Sequence, residues 1–135
     1  MKVLVDTDVW SEALRKRKGR ASDEVRALVQ LVEERRVELA PFVRMEILCG
    51  LRDEEVFERI RGYLAAFPDR ELTSEAYVLA ARYFNRCRSK GIQGSQYDFL
   101  LCACSVLWGM PILTKDKDFR HYARHVPIRL MDVNA

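Results

Sequence analysis

Residues 2–10, KVLVDTDVW, decide the reading of the whole chain. The apolar run 2–5 reads as a buried strand, and the aspartates at 6 and 8 stand where such a strand ends and the chain turns. A helix is expected over 9–19, stopped by Gly19, and a second over 23–36 with Ser22 as its cap and one apolar face at 25, 28, 29 and 32. VELA (37–40) is the next short strand. Helices follow from Pro41 to Leu51 and from Asp53 to Phe67, with 71–73 as a minor strand candidate. Ser74 is expected to cap a helix reaching Lys90 and ending at Gly91, and residues 95–108 form a helix apolar nearly all round. PILT (111–114) is a strand, 118–125 a short helix and 127–131 a last strand.

Strands separated by helices imply parallel pairing, because a parallel connection needs a crossover that helices usually supply. The expected fold is an α/β, three-layer α/β/α sandwich around a short parallel sheet. The 135 residues suit one domain, 1–135, with no repeat or linker. A hydrophobic share of 49% with 32% charged residues fits a globular protein and excludes a disordered one. No apolar run approaches the roughly 18 residues of a membrane span, and no leader pattern opens the chain, so no membrane partner and a cytoplasmic location are expected. Cys49, Cys87, Cys102 and Cys104 have neither CxxC nor zinc spacing and read as reduced core thiols. His121 and His125 lack an HExxH context and read as structural.

In an open parallel sheet, ligands bind outside the carboxyl ends of the strands. Asp6 leaves the first strand at that edge, and Asp116 leaves PILT there. Glu46, early in the helix after VELA, and Asp98, in the first turn of 95–108, also fall near it. Asp98 is informative because the only other polar side chain between Tyr97 and Trp108 is Ser105, two turns along the same stripe and placed to support Asp98 from behind. An ionised carboxylate in so apolar a helix is costly without compensation. Glu46 lies off the arc of Met45, Ile47, Leu48 and Leu51 and closest to Gly50, a costly helix residue that implies a close approach there. Asp8 is of the type that caps a helix N-terminus, and is expected to start the first helix behind Asp6.

Carboxylates gathered in one pocket repel, so either their pKa values rise or a cation enters. Hard oxygen ligands select Mg²⁺ or Mn²⁺ over zinc. With four acids neutralised, the surface becomes four charges more positive than the net +3, and the cationic block 15–20 (Arg15, Lys16, Arg17 and beyond) with Lys115 and Lys117 suits a polyanion.

VDTDVW, RMEILCGL, SQYDFLLCACSV and ILTKDKDF, in this order, resemble the PIN domain, and at this length the VapC-type toxins of toxin–antitoxin modules. The resemblance covers nearly the whole chain. It implies a metal-dependent endoribonuclease with Asp6, Glu46 and Asp98 as the acidic core and an acid of ILTKDKDF as the fourth. That segment offers Asp116 and Asp118, of which Asp116 stands nearer the strand end, with Thr114 in a supporting position. It also implies a homodimer, an RNA substrate and a separate antitoxin protein. Two other readings share the opening motif. A haloacid-dehalogenase-like phosphatase would use Asp6 as nucleophile and Asp8 as acid, but leaves Glu46 and Asp98 without a role. A non-catalytic acidic-pocket module, receiver-like or an inactive scaffold, would only bind a partner.

Overall fold

A computed structural model describes residues 1–15 and 19–134. Strand β1 (Val3–Val5) is fully buried, and it pairs in parallel with β2 (Val37–Glu38) on one side and β3 (Ile112–Leu113) on the other. Register sets Val3 opposite Val37, Leu4 opposite both Glu38 and Ile112, and Val5 opposite Leu113. All three strands therefore run toward the same edge, as the alternation of strands and helices implies. The helices are α1 (Thr7–Leu14), α2 (Asp23–Glu33), α3 (Pro41–Cys49), α4 (Glu54–Leu64), α5 (Ser74–Ser89), α6 (Gln96–Trp108) and α7 (Asp118–Tyr122). The result is the expected α/β/α sandwich about a short parallel sheet.

The core joins the sheet residues to Val9 and Trp10 of α1, Leu28 and Leu31 of α2, Val43 of α3, and Phe99, Leu101, Cys102 and Cys104 of α6. α1 packs on α2 and α3, and α5 lies along α6. The caps explain where the elements begin. Ser22 accepts the Val25 N–H at 3.2 Å, Asp53 accepts the Val56 N–H at 3.1 Å, and Ser95 accepts the Asp98 N–H at 3.1 Å. Gly91, at φ 77°, holds the left-handed turn that stops α5.

Several expectations are corrected. The cap of α5 is Thr73, without a side-chain capping bond, so Ser74 is already helical. Residues 71–73 form no strand. Residues 127–131 contribute only one parallel bridge, Ile112 to Leu130, because Ile128 N–H turns back to Val126 O at 2.9 Å and leaves Arg129 O and Met131 N–H alone for Ile112. Gly50 is the C-cap of α3, and a Cβ there would meet only Ile47 O at 3.8 Å, an ordinary contact, so nothing approaches it closely. Met45 faces solvent on α3, leaving Phe42, Val43 and Ile47 as its buried face. Cys87, Cys102 and Cys104 are buried and free, but Cys49 is exposed.

VELA conceals one further charge. Glu38 is only 5% exposed in β2, with Arg70 Nη2 at 3.1 Å and Lys2 Nζ at 3.8 Å from Oε1. Arg70 is in turn laid over the Trp108 ring, 5.1 Å from its centroid. A buried carboxylate deprived of its closest partner is destabilising. Arg70→Ala is therefore expected to lower stability by about 1–2 kcal/mol in urea unfolding, with Glu38→Gln recovering part of the loss in the double variant.

Candidate active site

Asp6 follows β1 directly, and its N–H donates to Leu113 O at 2.9 Å, so the β1–β3 ladder runs to the edge of the site. Its carboxylate is held at both oxygens. Oδ1 accepts the Thr7 N–H at 2.8 Å, and Oδ2 accepts the Thr114 hydroxyl at 2.7 Å. The same Thr114 oxygen accepts the Asp116 N–H at 3.0 Å, and Asp116 Oδ1 accepts the Asp118 N–H at 2.9 Å. One threonine thus joins the end of β1 to the loop after β3. On the other side, the Thr7 hydroxyl donates to Glu46 Oε1 at 3.0 Å and draws α3 onto the start of α1. Asp98, two residues inside α6, accepts the Tyr122 hydroxyl on Oδ2 at 2.8 Å.

The expected acids therefore come from four segments, and burial and mutual repulsion act on several of them. Burial pushes Asp6 up to about 7, with the charges of Asp8 and Asp98 adding to it and the Thr114 and Thr7 hydrogen bonds opposing it. Glu46 is raised by burial and by Asp98. Asp98 is raised by burial and by Asp116, against the Tyr122 hydrogen bond. Asp8 is raised by burial and by Asp116. Asp118 is exposed, and the group its charge perturbs is Tyr122. Among the described residues, no lysine or arginine lies within ion-pair distance of Asp6, Asp8, Glu46, Asp98 or Asp116.

All the donors are carboxylate or hydroxyl oxygens, a set that suits a hard divalent cation such as Mg²⁺ or Mn²⁺. In the described residues, no three acids, imidazoles or thiols are gathered at metal-binding spacing. Thr7, Thr114 and Tyr122 supply N–H and O–H donors to these carboxylates. The donor chemistry and the mutual repulsion fit a cation.

Two supporting roles are corrected. Asp6, not Asp8, occupies the N-cap of α1, because the helix begins at Thr7 immediately after β1. Asp8 lies in the first turn, where its Oδ2 accepts the Lys115 N–H at 3.2 Å and ties α1 to the β3–α7 loop. Ser105 does not back Asp98. Its buried hydroxyl donates to Met110 O at 2.5 Å and closes the far end of α6.

The cationic candidates divide. Lys16 and Arg17 lie outside the described residues, and Arg15 is exposed just beyond α1. Lys115 Nζ is bound by Glu12 Oε1 at 2.5 Å, and Glu12 also receives Ser22 Oγ at 3.0 Å. That hydrogen bond from Lys115 takes Glu12 down to about 2. Lys117 is exposed, and with Arg120, Thr114 and Asp116 it lines a cleft of about 380 Å³ beside the acids. Sequence reasoning missed Thr7, Glu12, Gly94 and Tyr122. Thr7 carried a signal, a hydroxyl between two aspartates, whereas Tyr122 sits three residues after Phe119 and looks like plain core.

A family profile described as PIN domain matches residues 3–125. No curated protein matches the chain. Among solved structures, the chain resembles one in VapBC2 from Rickettsia felis bound to a DNA fragment from its promoter, at 14% identity and TM-score 0.76 over 97% of this chain and 98% of that one. DNA-bound VapBC from Salmonella typhimurium gives 16% identity and TM-score 0.74 over 98% of each chain. FitAcB from Neisseria gonorrhoeae gives 17% and 0.71 over 97% of each.

The raised Asp6 predicts how metal-free protein responds to pH. The native carboxyl keeps its proton to about 7 while the unfolded one releases it near 3.8, so the native state binds more protons between those values. Stability is then fullest at the acid end of this window and falls as pH rises through it. In EDTA-treated protein, Asp6→Asn is expected to flatten that fall and raise Tm at pH 8 by at least ~3 °C in thermal unfolding. An unchanged profile would show that Asp6 titrates normally.

Proposed function

The chain belongs to the PIN domain family, and on that footing we propose that it is a metal-dependent endoribonuclease, the toxin of a type II toxin–antitoxin pair. What supports the proposal is the chain of hydrogen bonds that runs from Glu46 through Thr7 and Asp6 to Thr114 and Asp116, with the charge of Asp98 acting on Asp6 and Glu46 and no basic partner in ion-pair reach among the described residues. Those four would hold Mg²⁺ or Mn²⁺, Asp118 standing as the substitute for Asp116. A divalent cation in that place supplies water activation and charge neutralisation at a phosphodiester.

The chain's own residues prepare the site. Thr114 fixes the carboxylate plane of Asp6 and, through the Asp116 N–H, sets the loop that carries the fourth acid. Thr7 holds Glu46 toward the same edge. Lys117 and Arg120, exposed along the adjoining cleft, are placed to receive flanking phosphates of a single strand, while Lys115 is committed to Glu12 and acts by ordering the loop. Arg15, Lys16 and Arg17 belong to the same proposed RNA surface. The resemblance to chains of the VapBC and FitAcB structures supports a separate antitoxin partner, and a homodimer is proposed with it. A cytoplasmic setting belongs to the same reading. Among the described residues no helix is long and apolar enough to cross a membrane.

Purified protein freed of any partner is expected to cleave single-stranded RNA with Mn²⁺ or Mg²⁺ and to stop with EDTA. Asp98→Asn should lower the rate at least ~100-fold while leaving far-UV circular dichroism unchanged. Full activity in that variant would remove Asp98 from the site and the proposal with it.

A further inference from the structure

Tyr122, the hydroxyl donor to Asp98, is tightly held beside the acids. It is fully buried at the end of α7, with its ring against Phe119 at 5.0 Å and Phe99 at 4.7 Å between centroids. Its hydroxyl reaches across 24 residues of sequence to Asp98 Oδ2 at 2.8 Å. Space for that hydroxyl exists only because residue 94 has no side chain. A Cβ on Gly94 would overlap the Tyr122 oxygen, lie 2.7 Å from its Cζ and 3.0 Å from Phe99 Cε2. Neither atom is the free end of a flexible chain, since both belong to packed rings.

The geometry points to Tyr122, seated over Gly94, as the positioning residue that aims Asp98 and couples it to the Asp116 loop. This inference rests on the metal-site reading above. The coupling follows from where Tyr122 stands. α7 begins at Asp118, whose N–H holds Asp116 Oδ1, so one five-residue helix carries the Asp116 contact at its start and the Asp98 contact at its end. A phenol is suited to this work because it donates a single hydrogen bond from a rigid ring with only two side-chain torsions to freeze. Hydrogen-bond partners behind metal-ligating groups fix their orientation, and losing one typically costs 10–100-fold in metal affinity.

Mn²⁺ titration calorimetry on the whole chain, with RNA cleavage measured across Mn²⁺ concentration, tests this. Tyr122→Phe is expected to weaken Mn²⁺ binding at least ~10-fold, with metal-free Tm within a few degrees of wild type and much of the cleavage rate restored at high Mn²⁺. Gly94→Ala, which displaces the ring but keeps the hydroxyl, should weaken binding similarly, and it decides the matter if Tyr122→Phe fails to fold. Tyr83→Phe removes the hydroxyl of another buried tyrosine, one on α5 beneath Arg86, and should leave the affinity unchanged. Wild-type binding with an equal Kd in Tyr122→Phe overturns this inference and leaves the metal reading standing. An equal loss in Tyr83→Phe also overturns it, because the effect would then be general loosening. Wild-type protein that binds no Mn²⁺ overturns both readings.

Discussion

The Asp6 N–H donates to Leu113 O at 2.9 Å, the last rung of the ladder that fixes β1 beside β3. This rung puts the end of β1 level with Thr114, and the Thr114 hydroxyl then has one carboxylate to donate to and one loop N–H to accept from. Parallel pairing of β1 with β2 on its other flank aims the chain from Glu38 into α3 toward the same edge, where Thr7 meets Glu46. A slip of one residue in either ladder would turn the side chains of β1 to the opposite faces and carry Asp6 away from Thr114. The strands are only two or three residues long, so the register depends as much on these side-chain bonds as on the backbone rungs.

The site opposes the fold electrostatically. Burial and mutual repulsion raise Asp6, Asp8, Glu46 and Asp98 together, so gathering them works against folding while no cation is bound. The opposing contributions are local. The Thr7 N–H, the Thr114 and Tyr122 hydroxyls and the Lys115 N–H each satisfy one acid without neutralising it. Neutral donors preserve the negative field that a cation or a phosphodiester–metal assembly would require, whereas a lysine in their place would form an ion pair and quench it. Among the described residues, the nearby ion pair of Lys115 with Glu12 orders the loop and does not engage the acids.

The fold was largely legible because strand and helix signals were separate along the chain. KVLV, VELA and PILT are short apolar runs bounded by turn residues, and Ser22 supplied an interpretable cap, whereas Asp53 and Ser95 were placed inside the helices they cap. Acidic residues at strand ends were legible for the same reason, since topology gave them an address before any contact was known. Cooperation between distant residues was not. Tyr122 and Gly94 are 28 positions apart, and nothing local in either marks a hydroxyl seated over a missing Cβ. Asp8 was misread as the cap because a β1 ending at Val5 leaves Asp6 to start the helix at once, with no turn between them. Ser105 shares a stripe with Asp98, but the tight closure of α6 at Gly109, φ 66°, brings Met110 O to its hydroxyl.

The central claim is that Asp6, Glu46, Asp98 and Asp116 form one binding place for a divalent cation. Anomalous diffraction from crystals soaked in Mn²⁺ tests it directly. A manganese peak is expected at the carboxyl edge of β1, with oxygens of Asp6 and of at least one of the other three acids within about 2.0–2.3 Å, and the same peak absent in Asp6→Asn crystals. No peak at that edge, or a peak that persists unchanged in Asp6→Asn, would contradict it.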